Sequence, residues 1–196
     1  MIKTNPRKIY GSWVDGYVLD LHTSGSTYLG DNEFGHPQFE THRTEVGELL
    51  YQLKYRAEEA AIAPLVQAAL AFILRWGARP TLIVPVPATN TYRKIQPVPR
   101  LAGELAAALR IPAALNGVKK QKRFAELKNV YDAEERRRLL EGAFKIDGPA
   151  VQRQRVLLLD DLYRSGATMN VIAEAIALTG AQSVYAFAFT QTRSRT

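Results

Sequence analysis

Cysteine is absent from all 196 residues. Its absence excludes disulfides and any thiolate metal site, and it fits a reducing compartment. Histidine is scarce: His22, His36 and His42 are the only three, and they lack metal-ligand spacing. No uninterrupted apolar run approaches the roughly 18 residues of a membrane span, and no targeting segment opens the sequence. A cytoplasmic protein with no membrane partner is the expectation. The basic residues form no single long run, although 26 Lys and Arg outnumber 19 Asp and Glu for a formal net charge of +7. That balance suits either nucleic acid or a polyphosphate substrate.

What is present is concentrated in residues 155–168, Arg-Val-Leu-Leu-Leu-Asp-Asp-Leu-Tyr-Arg-Ser-Gly-Ala-Thr. The apolar run from Val156 to Leu159 followed by Asp160 and Asp161 predicts a buried parallel strand that ends at a site. A turn follows, in which Gly166 is free to take positive φ. Met169, Ile172, Ala173, Ile176 and Ala177 then recur at helical spacing, and Gly180 closes that helix. Residues 183–189 read as a second strand, giving a right-handed β-turn-α-β unit.

The turn carries the chemistry. Ser165, Gly166, Ala167 and Thr168 set backbone N–H groups and two hydroxyls at a helix N-terminus, which is a phosphate cradle. Adjacent carboxylates beside such a cradle would repel an anion unless they engage something else. Ribose hydroxyls, or a Mg²⁺ bridging to phosphates, are the natural partners. The plain alternative is a Rossmann-like βα turn whose acids only cap the helix.

The remaining chain reads as alternating elements. Residues 8–14 and 16–21 flank Asp15-Gly16, a hairpin-like signal. Residues 23–36, rich in Ser, Thr, Gly and Asp, read as loop. Val46, Leu49, Leu50 and Leu53 predict a short amphipathic helix ending in Lys54-Tyr55-Arg56. A longer helix runs from about Glu58 to Trp76, with Pro64 tolerable only near its start. Residues 81–87 form a strand broken at its prolines. Leu101, Leu105, Ala108 and Leu109 mark another helix, and Ile111-Pro112 begins a short strand. Residues 116–140 are the most charged stretch, with Lys119, Lys120, Lys122, Arg123, Lys128, Arg136, Arg137 and Arg138. They form either a functional loop or a solvated face with ion pairs such as Asp132 with Arg136 and Glu134 with Arg138.

The apolar strand, Asp160-Asp161, and the Ser165-Gly166-Ala167-Thr168 loop resemble the phosphoribosyl pyrophosphate (PRPP) signature of type I phosphoribosyltransferases. That resemblance implies Asp160 and Asp161 on the ribose hydroxyls and on Mg²⁺, as the catalytic and metal residues. It implies Arg164, Ser165, Gly166, Ala167 and Thr168 on the 5-phosphate. The strand end at Val84-Pro85-Val86-Pro87 matches the pyrophosphate loop, which makes Arg93 and Lys94 PRPP-binding residues. The charged stretch corresponds to a loop that closes over PRPP in that family.

The order of Leu53-Lys54-Tyr55-Arg56, Val84-Pro85-Val86-Pro87, Arg136, Gly142-Ala143-Phe144 and the acid-loop motif is similar to the ComF branch, over about residues 49–192. The chain departs from that branch in having no four-cysteine module, and in reading Ile95-Gln96-Pro97 after the pyrophosphate loop.

The fold expected is α/β, with a mostly parallel central sheet, helices on both faces, and a small N-terminal β hood or edge addition. Residues 1–44 would form that extension and 45–196 the core domain. The function implied is transfer of the phosphoribosyl group from Mg²⁺-PRPP to a nitrogen nucleophile, a nucleobase-like acceptor, with release of pyrophosphate. A PRPP- or nucleotide-sensing regulator and a ComF-like DNA-handling partner are the alternatives. A homodimer is compatible with all three, and nucleic acid is not the favoured partner.

Overall fold

Val156, Leu157, Leu158 and Leu159 are all fully buried, yet not against the same neighbours. Successive side chains of a strand point to opposite faces. Leu157 and Leu159 accordingly join one apolar cluster, and Val156 and Leu158 another. A strand of this kind has to lie inside a sheet covered on both sides.

In the computed structural model, which describes residues 2–88, 92–121 and 143–193, it does. The strands are β1 (Arg7–Lys8), β2 (Asp15–Leu21), β3 (Thr23–Asp31), β4 (Pro37–Arg43), β5 (Leu82–Pro85), β6 (Val118–Lys120), β7 (Phe144–Ile146), β8 (Arg155–Tyr163) and β9 (Ser183–Gln191). The central sheet has the order β1-β2-β9-β8-β5. Its inner pairings are all parallel and only the two-residue β1 runs antiparallel.

The helices are α1 (Glu45–Tyr51), α2 (Ile62–Trp76), α3 (Pro97–Leu109), α4 (Gly148–Val151) and α5 (Ala167–Leu178). One face of the sheet packs on α1, α2 and α3 through Leu50, Leu65, Ile73, Leu101 and Leu105. The other packs on α5 and the small β6–β7 sheet through Ile172, Ile176, Val118 and Phe144. The expected α/β architecture with helices on both faces is the one observed.

Pro64 falls in the first turn of α2, after a 3-10 turn at Glu59–Ala61, where its missing N–H costs no helical bond. The stretch Glu59–Trp76 has 18 residues at mean hydropathy 1.3, long and apolar enough to cross a membrane by length and composition. Leu65, Val66, Ala69 and Ile73 of that stretch lie in the core.

Several expectations need correction. β1 and β2 do pair as a hairpin, with Arg7 opposite Val18 and Lys8 opposite Tyr17, but residues 9–14 make the connection. Asp15 and Gly16 open β2 instead, because the Asp15 carboxylate is held by Lys8 at 3.0 Å and by Trp76 Nε1 at 2.9 Å. Residues 23–36 are not a loop. They supply β3 and the turn of an antiparallel ribbon with β4, in which Asn32 Oδ1 accepts from the N–H groups of Phe34 and His36.

Residues 15–21 belong to the central sheet, between β1 and β9. The strand expected at Ile111-Pro112 amounts to a single bridge between Ile83 and Ala113. Lys122, Arg123, Lys128, Arg136, Arg137 and Arg138, and the ion pairs expected of Asp132 and Glu134, lie outside the described residues, as do residues 89–91 and Gly142.

Candidate functional site

β8 does not stop at its acids; it continues in register with β9 as far as Tyr163. Alternation therefore sends Asp160 and Asp161 to opposite faces. Asp160 follows Val156 and Leu158 toward α5. There it lines a cavity of about 140 Å³ with Tyr163, Arg164, Ser165, Gly166 and Thr168. Gly166 has φ +73° and caps α5. A Cβ on it would collide with the Tyr163 hydroxyl and stand 2.7 Å from the ring, so this position demands glycine twice over.

The helix start is braced from the N-terminal segment. Gly166 O accepts from Asn170 N–H at 2.8 Å and from Asn170 Nδ2 at 3.0 Å. Asn170 Oδ1 in turn accepts from Ser12 N–H at 2.7 Å. Trp13 meets the Tyr163 ring edge-on at 6.4 Å. The 9–14 connection thus fixes both the tyrosine beside the cradle and the first turn of α5. That first turn directs its N–H groups toward the cavity end. Arg164 and Ser165 are exposed, and Thr168 is half-buried.

Asp161 follows Leu157 and Leu159 to the other face. Its carboxylate meets Lys54 Nζ at 2.8 Å, and both side chains are less than a fifth exposed. Lys54 sits in a π-helical turn, Gln52–Arg56, that extends α1. Such turns insert a residue into a helix and re-aim the side chains around it. The end of α1 nearer β2 is tied to the sheet by Thr44, whose Oγ1 donates to Leu21 O at 2.6 Å and accepts from Gly47 N–H at 3.0 Å. Thr190 Oγ1, fully buried, donates to Asp161 O at 3.0 Å and lies 3.2 Å from His22 Nδ1.

Asp160 is pushed up to about 7, first by burial and then by the neighbouring Asp161 carboxylate. Near neutral pH both the protonated and the ionised forms of Asp160 are populated, and the first can donate a hydrogen bond at the cavity while the second only accepts. Burial, with Arg43 and Lys54 nearby, holds the His22 imidazole below its usual range.

Arg93 and Lys94 follow β5. That strand is paired with β8, and Val86 N–H donates to Leu159 O at 2.8 Å, so their loop leaves the sheet beside the acids. Arg93 is half-buried, with its guanidinium 5.8 Å from the Tyr55 ring centre; Lys94 is exposed. Tyr55 also packs on Tyr51 at 5.1 Å, and Tyr51 carries Arg43 at 3.8 Å and Arg56 at 5.7 Å.

Sequence reasoning missed this cation–aromatic group and the Lys54–Asp161 pair. Lys54-Tyr55-Arg56 reads as an ordinary helix end, and nothing in linear spacing announces a π turn. Among the described residues no group of three or more His, Asp or Glu gathers in metal-ligand fashion. A Mg²⁺ here would depend on oxygens of a bound phosphate ligand to complete its shell, with Asp160 the carboxylate that faces the cavity. Mg²⁺ is commonly held this way, by one or two carboxylates plus substrate phosphates.

No family model matches the sequence, and no curated protein matches it. Solved structures do. The adenine phosphoribosyl transferase of Trypanosoma brucei, in complex with AMP, pyrophosphate and ribose-5-phosphate, is similar over 96% of this chain and 86% of its own, at 11% identity and a TM-score of 0.52. The adenine phosphoribosyltransferase of Leishmania tarentolae is similar over 96% of this chain and 95% of its own, at 12% identity and a TM-score of 0.51. The fold is that of the phosphoribosyltransferases. The glutamine PRPP amidotransferase of B. subtilis gives 16% identity and a TM-score of 0.49 over 88% of this chain, which spans only 36% of that longer protein. In a parallel sheet of this kind the ligand crevice lies at the carboxyl ends of the strands, and Asp160, Arg164–Thr168 and the loop of Arg93 and Lys94 all leave the sheet at that end.

Proposed function

We propose that this chain binds Mg²⁺-PRPP and transfers its phosphoribosyl group to a nitrogen nucleophile. The observation that carries this reading is the cavity in which a carboxylate, Asp160, faces a glycine-capped helix start only a few residues away. An anion cradle and a hydroxyl acceptor at that separation suit the two ends of a ribose 5-phosphate. Residues 164–168 hold the 5-phosphate and Asp160 addresses the ribose hydroxyls; Asp161, expected to share that role, turns to Lys54 on the other face of the sheet. Arg93 and Lys94 supply positive charge to the pyrophosphate.

In the transfer the bond from the anomeric carbon to pyrophosphate breaks and a bond to the acceptor nitrogen forms. The acceptor's proton passes to solvent. Positive charge develops on the ribose as pyrophosphate leaves, so carboxylates near the sugar and cations near the leaving group both favour the transition state. Bound Mg²⁺ would neutralise part of the pyrophosphate charge.

The acceptor class is nucleobase-like, and cytoplasmic nucleotide metabolism is the setting that agrees with the absence of cysteine. The linear order of segments supports a ComF-like affiliation. The β3–β4 ribbon, leaving the sheet beside the carboxyl end of β2, supports an N-terminal hood. The test is pyrophosphate release from Mg²⁺-PRPP across a panel of nucleobases. Release that depends on one acceptor is expected. Tight PRPP binding without release for any acceptor would assign the chain to the PRPP-sensing alternative.

A further inference from the structure

The two acids of β8 are neighbours in sequence but not in environment. Asp160 looks onto the cradle. Asp161 looks at the π turn and already has a cation, the Lys54 ammonium, at 2.8 Å with both partners largely shielded from water. The Asp161 backbone is fixed as well: its carbonyl accepts from buried Thr190, and its N–H donates to Asp160 Oδ1 at 2.8 Å. The lysine comes from a turn whose π geometry departs from the regular helix before it. Moving Lys54 off Asp161 would therefore need either a change in that turn or a long side chain leaving a shielded partner, which costs more than breaking an exposed pair.

We infer that Lys54 is a positioning residue that serves as the resident cation of Asp161, withholding that carboxylate from a divalent metal and leaving Asp160 as the metal-facing acid. The inference rests on the PRPP reading only for the identity of the metal's eventual partner. It divides two residues that the sequence motif treats as a pair. A lysine at this place offsets the charge of one of the two acids. A fully ionised, unpartnered pair would attract free Mg²⁺ in the absence of ligand and then oppose the entry of a polyphosphate. With Lys54 in place, the metal arrives with its phosphate ligand.

The experiment uses the full chain with Mn²⁺ alone as probe, followed by water-proton relaxation, so no PRPP is present. Wild type should bind Mn²⁺ weakly. Lys54→Gln keeps a polar group of similar reach and removes the charge, and it should tighten Mn²⁺ binding about tenfold or more. Lys54→Arg should stay at the wild-type level, and adding Asp161→Asn to Lys54→Gln should abolish the gain.

Equal Mn²⁺ affinity in wild type and Lys54→Gln would overturn the inference, as would a gain that survives Asp161→Asn. Should Lys54→Gln fail to fold, the wild-type ammonium answers the same question. Its ¹⁵Nζ resonance should stay slow-exchanging and unshifted when millimolar Mg²⁺ is added, and loss of the signal on Mg²⁺ addition would refute the assignment. A chain that never releases pyrophosphate would refute the enzyme reading and leave this result standing.

Discussion

β3 and β8 are both nine-residue strands with a partner along their length, yet they share almost nothing else. β8 is buried on both faces through its first half and carries the site at its end. β3 has no buried residue, and with β4 it forms a ribbon whose Tyr28, Leu29 and Phe39 stand more than half exposed. The backbone ladder alone makes both regular. Burial makes only one of them rigid, since an isolated two-stranded hairpin is marginal in water. The proposed phosphate cradle, which would need a fixed backbone, sits at the end of β8. The ribbon is free to adapt, which suits a cover more than a scaffold.

Truncation in the two regions should separate them most. Leu158→Ala removes a fully buried side chain from β8 and should cost about 2–5 kcal/mol. Phe39→Ala loses mainly its 5.5 Å contact with Tyr28 across the ribbon and should cost about 1 kcal/mol or less. Urea unfolding of both variants measures the ratio. A Phe39→Ala loss as large as that of Leu158→Ala would mean that the ribbon is part of the cooperative core.

Glycine replacements sharpen the contrast at the site. Gly166→Val strains a φ of +73° and drives a side chain into Tyr163, so calorimetry should show ribose 5-phosphate affinity falling about 100-fold or more, roughly 2.7 kcal/mol. Gly30→Val in the ribbon has φ +103° but nothing within 4 Å of the new Cβ. Only the backbone strain of about 1–2 kcal/mol applies there, with no effect on ligand affinity. Unaltered affinity in Gly166→Val would remove the cradle.

The same contrast explains what the sequence reveals. The run from Val156 to Leu159, the acids, Gly166 and the stripe from Met169 to Ile176 are local signals that agree with one another, so the β8-turn-α5 unit is legible as a whole. The ribbon is not, because a strand with no buried face has no alternation to read, and Ser, Thr and Gly look like loop. Asp15-Gly16 resembles a turn until Lys8 and the distant Trp76 claim the carboxylate. Lys54 is illegible for a different reason. Its partner lies 107 residues away, and the π turn that aims it has no linear signature.

Asp160 offers a smaller effect with a definite sign. Its pKa is raised to about 7 in the folded state, against about 3.9 when unfolded. Between those values the native chain binds a proton that the unfolded chain does not, so stability falls as pH rises from about 4 to 7 and then levels off. Asp160→Asn removes that penalty. It should raise stability at pH 8 by on the order of 1–3 kcal/mol, flatten the decline between pH 4 and 7, and weaken Mg²⁺-PRPP binding. Thermal unfolding at pH 5 and pH 8 reads the first two effects. A variant less stable than wild type at pH 8 would show that the carboxylate is held by favourable contacts and not against desolvation.

The smallest effect tests how the cradle works. In the proposed cradle the donors are backbone N–H groups on a helix start, reinforced by the alignment of peptide dipoles in α5. The hydroxyl of Ser165 is secondary: it is exposed, and it accepts from Ala167 N–H only at a long 3.5 Å. Ser165→Ala should therefore cost about 0.5–1.5 kcal/mol of ribose 5-phosphate affinity, the value of one neutral hydrogen bond, and leave unfolding unchanged. It should also leave the salt dependence of binding intact, since no charge is lost. Arg164→Ala, by contrast, removes a cation exposed at the cavity mouth, and its effect on affinity should shrink as salt is added. Titrating both variants with ribose 5-phosphate at low and high ionic strength separates the contributions. If Ser165→Ala proved as damaging as Gly166→Val, the phosphate would be held by side-chain hydroxyls, and the rigid backbone of β8 and α5 would lose its claim to be what the ribbon lacks.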